Sequence, residues 1–237
     1  MIDLVIFGSG GFAQEVAAYA ADAGFRLRGF LDVSAEAWQA HGAPEPGWLG
    51  RAEDYRPDGT ELFALGIADT AIRARLIARW FDAPHADADT GGAGWPAATI
   101  IHPTATIMAG ATIGAGSVLG PRAHVGVKAR PGRFTVMNYG CSFGHDGASG
   151  CNNVLASGVQ LAGYVTLGAD NFFGISASVQ PRLTLGDRNR IQAGVSVASD
   201  VGSGAFVFRK DQPKTAFLFT APTLAAPTLA ADTAGEG

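Results

Sequence analysis

The chain has 237 residues, 47% of them hydrophobic, with a formal net charge of -4 and a pI near 5.7. That is enough apolar material for one or two cored domains, and the mild acidity gives no electrostatic reason to bind nucleic acid or an anionic membrane surface. No apolar run reaches transmembrane length and the start carries no signal-peptide pattern, so the expectation is a cytoplasmic protein with neither a membrane nor a nucleic-acid partner.

Residues 1–82 read as an α/β domain. Leu4-Val5-Ile6-Phe7 is a buried-strand pattern that runs into Gly8-Ser9-Gly10-Gly11 and then a helical stretch, Ala13 to Ala23, stopped by Gly24. A second strand is expected over 26–31, closing on Asp32, and a third over Leu62–Leu65, followed by Gly66. Ile72 to Phe81 predicts an amphipathic helix carrying Arg73, Arg75 and Arg79. Strands alternating with helices imply a small parallel sheet. A glycine-rich turn between strand and helix presents backbone N–H groups to an anion, and the carboxylate of Asp32 suits a ribose hydroxyl. Ala13 breaks the full dinucleotide fingerprint, so a tight turn without a ligand stays open as the other reading.

Residues 83–98 are poor in apolar side chains and predict a linker. From Ile101 to Val197 every sixth residue is apolar except Pro131 and Ser149, and Gly often follows. Neither a helix nor a strand repeats at six, whereas hexapeptide repeats are a signature of a parallel β-helix. Three hexads close one triangular coil of eighteen residues, the large apolar residue points inward, and Gly permits the corner. Residues 99–208 are assigned to this domain, without an insertion in the register from 101 to 201 and with a capping strand at Ala205–Phe208. The remainder, 209–237, repeats Ala-Pro-Thr-Leu-Ala and is expected to be a partly disordered tail. Cys141 and Cys151, ten apart, lack metal-ligand spacing and are expected to be reduced, and no metal is expected.

One hexad is chemically distinct. Gly144-His145-Asp146-Gly147 puts an imidazole beside a carboxylate, whereas His102 precedes Pro103 and reads as structural, His124 falls at a corner, and His41 and His85 fall in loops. Acyl transfer from a thioester needs a base for the attacking amine or hydroxyl, and a carboxylate that holds the tautomer of a histidine supports that role. Turn N–H groups can serve a developing oxyanion. One coil after His145 comes Gly163, so base and inter-coil groove are adjacent by arithmetic. A corner histidine with a coincidental neighbour is the bland alternative.

Val5 to Gly11, Phe30-Leu31-Asp32, Gly66 to Arg73, Ile101-His102-Pro103-Thr104-Ala105, Asn138, His145-Asp146 and Leu161-Ala162-Gly163 together resemble the bacterial sugar O-/N-acyltransferases of the sialic-acid O-acetyltransferase and bacillosamine N-acetyltransferase type. The resemblance covers residues 2 to about 205. It implies a Rossmann-like sugar-nucleotide domain, a left-handed β-helix and a homotrimer, with acetyl-CoA or another acyl-CoA bound between coils and a nucleotide-linked amino sugar as acceptor. On that resemblance His145 is the general base, Asp146 orients it, and Asn138 lies near the amine. Gly10, Gly11, Phe12 and Asp32 line the nucleotide, with Asp69 nearby, and Gly163, Ile175, Pro181 and Ala193 contact acyl-CoA. The chain departs from the family at Phe12 and Val154, where histidines are common, and Lys210 and Lys214 replace the usual ending and are candidates for the CoA phosphates. The implied reaction is N-acylation of a nucleotide-linked amino sugar. O-acetylation of a free sugar and an inert β-helix binding protein are the rivals.

Overall fold

The structure, a computed structural model, describes residues 1–82 and 94–209. The expectations for 83–93, including His85, and for 210–237, including Lys210 and Lys214, lie outside the described residues.

The N-terminal domain is built from β1 (Ile2–Phe7), α1 (Gly11–Asp22), β2 (Phe25–Leu31), α2 (Ala35–Ala40), β3 (Trp48–Gly50), β4 (Leu62–Leu65) and α3 (Thr70–Leu76). The strands form one parallel sheet in the order β3-β2-β1-β4. Leu4 to Phe7 are all buried, which is why β1 reads as an unbroken apolar run rather than an alternation. Ala13, Val16, Tyr19 and Ala20 give α1 its buried side against one face. Phe7, Phe63, Trp80, Phe81 and Trp95 make an aromatic cluster on the other.

Three features differ from the expectation. The helix expected over Ile72–Phe81 starts earlier, at Thr70, because Asp69 caps it, and its last turn, Ile77–Phe81, widens to a π-helix. That widening accompanies the burial of Ile77, Trp80 and Phe81 together. The short α2 and β3 add a helix and an edge strand that were not foreseen; Ser34 caps α2 by accepting from Ala37 N at 3.1 Å. Residues 94–98 are not a linker but a continuation of the sheet. Phe63 N donates to Pro96 O at 2.9 Å, Ala98 N to Phe63 O at 2.8 Å, and the Trp95 ring stacks 4.4 Å from that of Phe63.

From Ile100 the chain winds into a three-faced parallel β-helix. The first face stacks seven two-residue strands, from Ile100–Ile101 through Val136–Met137 to Phe206–Val207. The second stacks six, from Thr106–Ile107 through Ser142–Phe143 to Ser196–Val197, and the third stacks Ala148–Ser149, Thr166–Leu167 and Thr184–Leu185. Partners are eighteen residues apart, as in Ser142 with Gln160, and hexad residues such as Leu119, Phe143 and Leu161 fill the interior. The register does not hold to the end. Arg190 pairs with Phe206 and Leu185 with Val201, so the last coil is two residues short.

The glycines that follow the hexad residues act through space rather than through φ. A Cβ on Gly126 would lie 2.6 Å from His145 N, and one on Gly144 would lie 2.3 Å from the Ala162 carbonyl carbon. The left-handed corner positions two residues further on are instead mostly non-glycine: Lys128, Asp146, Tyr164 and Arg182 have φ of 57°, 54°, 61° and 65°. Each such residue costs on the order of 1 kcal/mol. Stacking offsets part of this cost, as where Tyr164 N donates to His145 O at 2.9 Å.

The N-terminal domain docks on the first face, whose outward residues Ile100, Val118, Val136 and Val154 are buried under it. Arg73 is wholly buried at this joint. It donates to Asn152 Oδ1 at 2.8 Å and to the Phe134 carbonyl at 2.7 Å, and burial lowers its pKa to about 10. Helix α1 runs antiparallel to the coil axis along the corner between first and second faces. Asp22 meets His102 and Glu15 meets Asn138, two coils higher. The seven-residue helical step spans about 10.5 Å and two coils about 9.6 Å, so the two pitches match. A further five residues of helix, about 7.5 Å, lift the glycine turn roughly one and a half coils above Asn138.

Candidate active site

His145 and Asp146 sit at the corner between second and third faces. His145 Nδ1 lies 3.0 Å from Asp146 Oδ2, and the imidazole is 56% exposed. A carboxylate can only accept, so Nδ1 carries the proton and the Nε2 lone pair points away from Asp146. The ring lies against Gly163 of the next coil, where a Cβ would come within 2.4 Å of Nε2. Tyr164 meets the imidazole edge-on at 5.1 Å, and the Arg182 guanidinium lies 4.4 Å above the tyrosine ring. On the adjoining second face a groove of about 420 Å³ is lined by Ser142, Gln160, Ala162, Ser178, Gln180 and Pro181.

The expected acyl-CoA residues divide between two corners. Gly163 and Pro181 stack on the His145 corner, one and two coils on. Ile175, 59% exposed, and Ala193 stack on the corner between first and second faces, beyond the groove. Asn138 belongs to that second corner too. Its Oδ1 accepts from Tyr19 Oη at 2.7 Å and its Nδ2 donates to Glu15 at 3.1 Å, so within one chain it ties α1 to the coils. Val154 is buried under α1.

In the N-terminal domain Gly10 caps α1 without a side chain and Gly11 opens it, exposed, while Phe12 packs against the apolar cluster beneath that helix. Asp32 closes β2. One of its oxygens accepts from Val33 N at 2.7 Å and the other from Ser9 Oγ. It lines a cavity of about 140 Å³ with Gly8, Ile67, Ile72, Leu76 and Trp80. This cavity is at the carboxyl end of the strands, where β1 lies between β2 and β4, the usual ligand position in a parallel sheet. Asp69 lies beside it, its Oδ1 accepting from Ala71 N and Ile72 N at 2.9 Å each.

Sequence reasoning missed two histidine contacts. His41 Nδ1 is 2.9 Å from Ser9 Oγ, and His102 Nε2 is 3.0 Å from Asp22 Oδ2. Each partner lies far along the chain, so no local motif announced them. Among the described residues no helix is long and apolar enough to cross a membrane, and no cluster of three or more His, Cys, Asp or Glu could hold a metal ion.

Residues 3–80 match the sequence profile of the PglD N-terminal domain. No curated protein matches the chain by sequence. Among solved structures, PerB from Caulobacter crescentus, in complex with CoA and GDP-perosamine, is 23% identical. It matches with a TM-score of 0.73 over 86% of this chain and 92% of its own. The acetyltransferase domain of PglB from Neisseria gonorrhoeae matches at 20% identity and a TM-score of 0.71, over 86% and 97%. WeeI from Acinetobacter baumannii AYE matches at 19% and 0.69, over 87% and 96%. The chain therefore joins an N-terminal α/β domain, similar over residues 3–80 to the PglD N-terminal domain, to a left-handed parallel β-helix, and it shares that two-part fold with PerB, the PglB acetyltransferase domain and WeeI.

Proposed function

We propose that this protein transfers an acyl group, acetyl in the simplest case, from acyl-CoA to the amine of a nucleotide-linked amino sugar. The observation that carries the reading is the His145–Asp146 pair, exposed on a corner with the ring against Gly163 and an inter-coil groove alongside. Asp146 holds the Nδ1–H tautomer, which leaves Nε2 as the base. The amine nitrogen attacks the thioester carbonyl carbon and Nε2 takes its proton. Collapse of the tetrahedral adduct breaks the carbon–sulfur bond, and the imidazolium returns the proton to the departing CoA thiolate. The Gly163 N–H, which donates to no acceptor among the described residues, is free to serve the oxyanion. The solved complex of PerB with CoA and GDP-perosamine supports the same pairing of substrates here.

A trimer belongs to this reading. One chain keeps His145, Gly163 and Pro181 on one corner and Asn138, Ile175 and Ala193 on another. Apposing the first corner of one copy to the second corner of the next brings the whole set to one groove. It also brings the glycine turn of α1, level with the coils of Gly163 and Ile175, beside the base.

The test is mass spectrometry of products after incubation with acetyl-CoA and a panel of UDP-, dTDP- and GDP-amino sugars. An N-acetylated nucleotide sugar is expected. His145→Ala is expected to lower kcat at least ~100-fold with the fold intact. A loss below about threefold would remove His145 from the role of base.

A further inference from the structure

The loop after α2 carries His41 over the glycine turn, a contact that the reaction scheme above leaves unused. Ser9 is fully buried and gives its one hydroxyl proton to Asp32, whose carboxylate can only accept. Ser9 Oγ must therefore accept from His41 Nδ1, 2.9 Å away. The tautomer follows: Nδ1 carries the proton, and in the neutral ring Nε2 presents a lone pair. That nitrogen lies 3.8 Å from where a side chain on Gly10 would begin, and the imidazole is 44% exposed. Gln14 fastens the arrangement by donating to the carbonyls of Ser9 at 3.2 Å and His41 at 3.1 Å. Asp32, 3.6 Å from Nδ1, is the one carboxylate within ion-pair reach of the ring among the described residues; Ser9 and Gln14 are neutral.

We propose that His41 binds the diphosphate of the nucleotide sugar through Nε2 and takes up a proton as it does so. This rests on the nucleotide-sugar reading above. A lone pair aimed at a phosphate oxygen repels it. One added proton converts that repulsion into a charge-assisted hydrogen bond, and Asp32, linked through Ser9, balances the imidazolium. The two functional histidines then make opposite demands, since His145 must be neutral and His41 charged.

The experiment is calorimetry of GDP, UDP and dTDP binding near neutral pH, in two buffers of different ionisation enthalpy, which counts protons without any mutation. Expected is net proton uptake on binding of at least one of them. His41→Gln, a change at an exposed side chain, should lose that uptake and weaken binding about tenfold. Binding without proton uptake in the natural protein, or His41→Gln binding with unchanged affinity and uptake, overturns the proposal and leaves the nucleotide reading standing. Failure of all three nucleotides to bind the natural protein overturns both.

Discussion

His145 and His102 occupy two corners of one β-helix, each with a ring nitrogen 3.0 Å from a carboxylate oxygen, and they part company at the other nitrogen. His102 gives Nε2 to Asp22, while Nδ1 engages Thr104 Oγ1 at 2.9 Å and Thr104 N at 3.1 Å. Its side chain is 10% exposed and lies edge-on to Tyr19. Both nitrogens are spent, Nε2 on fastening α1 and Nδ1 on Thr104 of the same coil. His145 spends Nδ1 on Asp146 and keeps Nε2 for a substrate, on a corner that the N-terminal domain leaves uncovered. A His–Asp pair becomes a catalytic candidate when one nitrogen is left over and open, not by virtue of the carboxylate.

The sharpest way to break this contrast is Gly163→Ala. Its Cβ would fall 2.4 Å from His145 Nε2, so the ring must shift by about 1 Å, and a misplacement of that size costs on the order of 100-fold in kcat. Steady-state kinetics with unchanged thermal melting checks it. His102→Ala should do the reverse, losing about 1–2 kcal/mol of stability in denaturant titration while kcat stays within about twofold. The smallest effect extends the contrast to the thiols. Burial pushes the Cys141 thiol up to about 12, so it stays protonated and inert at neutral pH. Cys151, whose pKa is also raised by burial but which is exposed, should react first with iodoacetamide, as read by peptide mass spectrometry.

The β-helix was legible because its interior imposes one rule on every sixth residue, and a rule enforced over a hundred positions survives local exceptions such as Ser149. Its end was not, since the two-residue shortening after Val197 alters neither composition nor the apolar pattern before it. The corner glycines were legible as necessary but for the wrong cause, because close approach of the next coil cannot be told from a φ requirement in sequence. His145, Asp146 and Gly163 could be brought together by counting, as the coil is a ruler in residues. His41 with Ser9, Asp22 with His102 and Arg73 with Asn152 could not, since each contact depends on how separate elements dock. The Trp95 segment was hidden by the Ala, Gly and Pro around it.

The matched pitches of α1 and the coils have a consequence for how such chains can change length. Duplicating a coil between His102 and Asn138 would carry Asn138 about 4.8 Å past Glu15, leaving the helix able to hold one anchor or the other. A coil added after Asn189 disturbs neither. Growth and loss of repeats are thus confined to the distal half of the prism, and the stretch gauged by α1 is frozen at two turns.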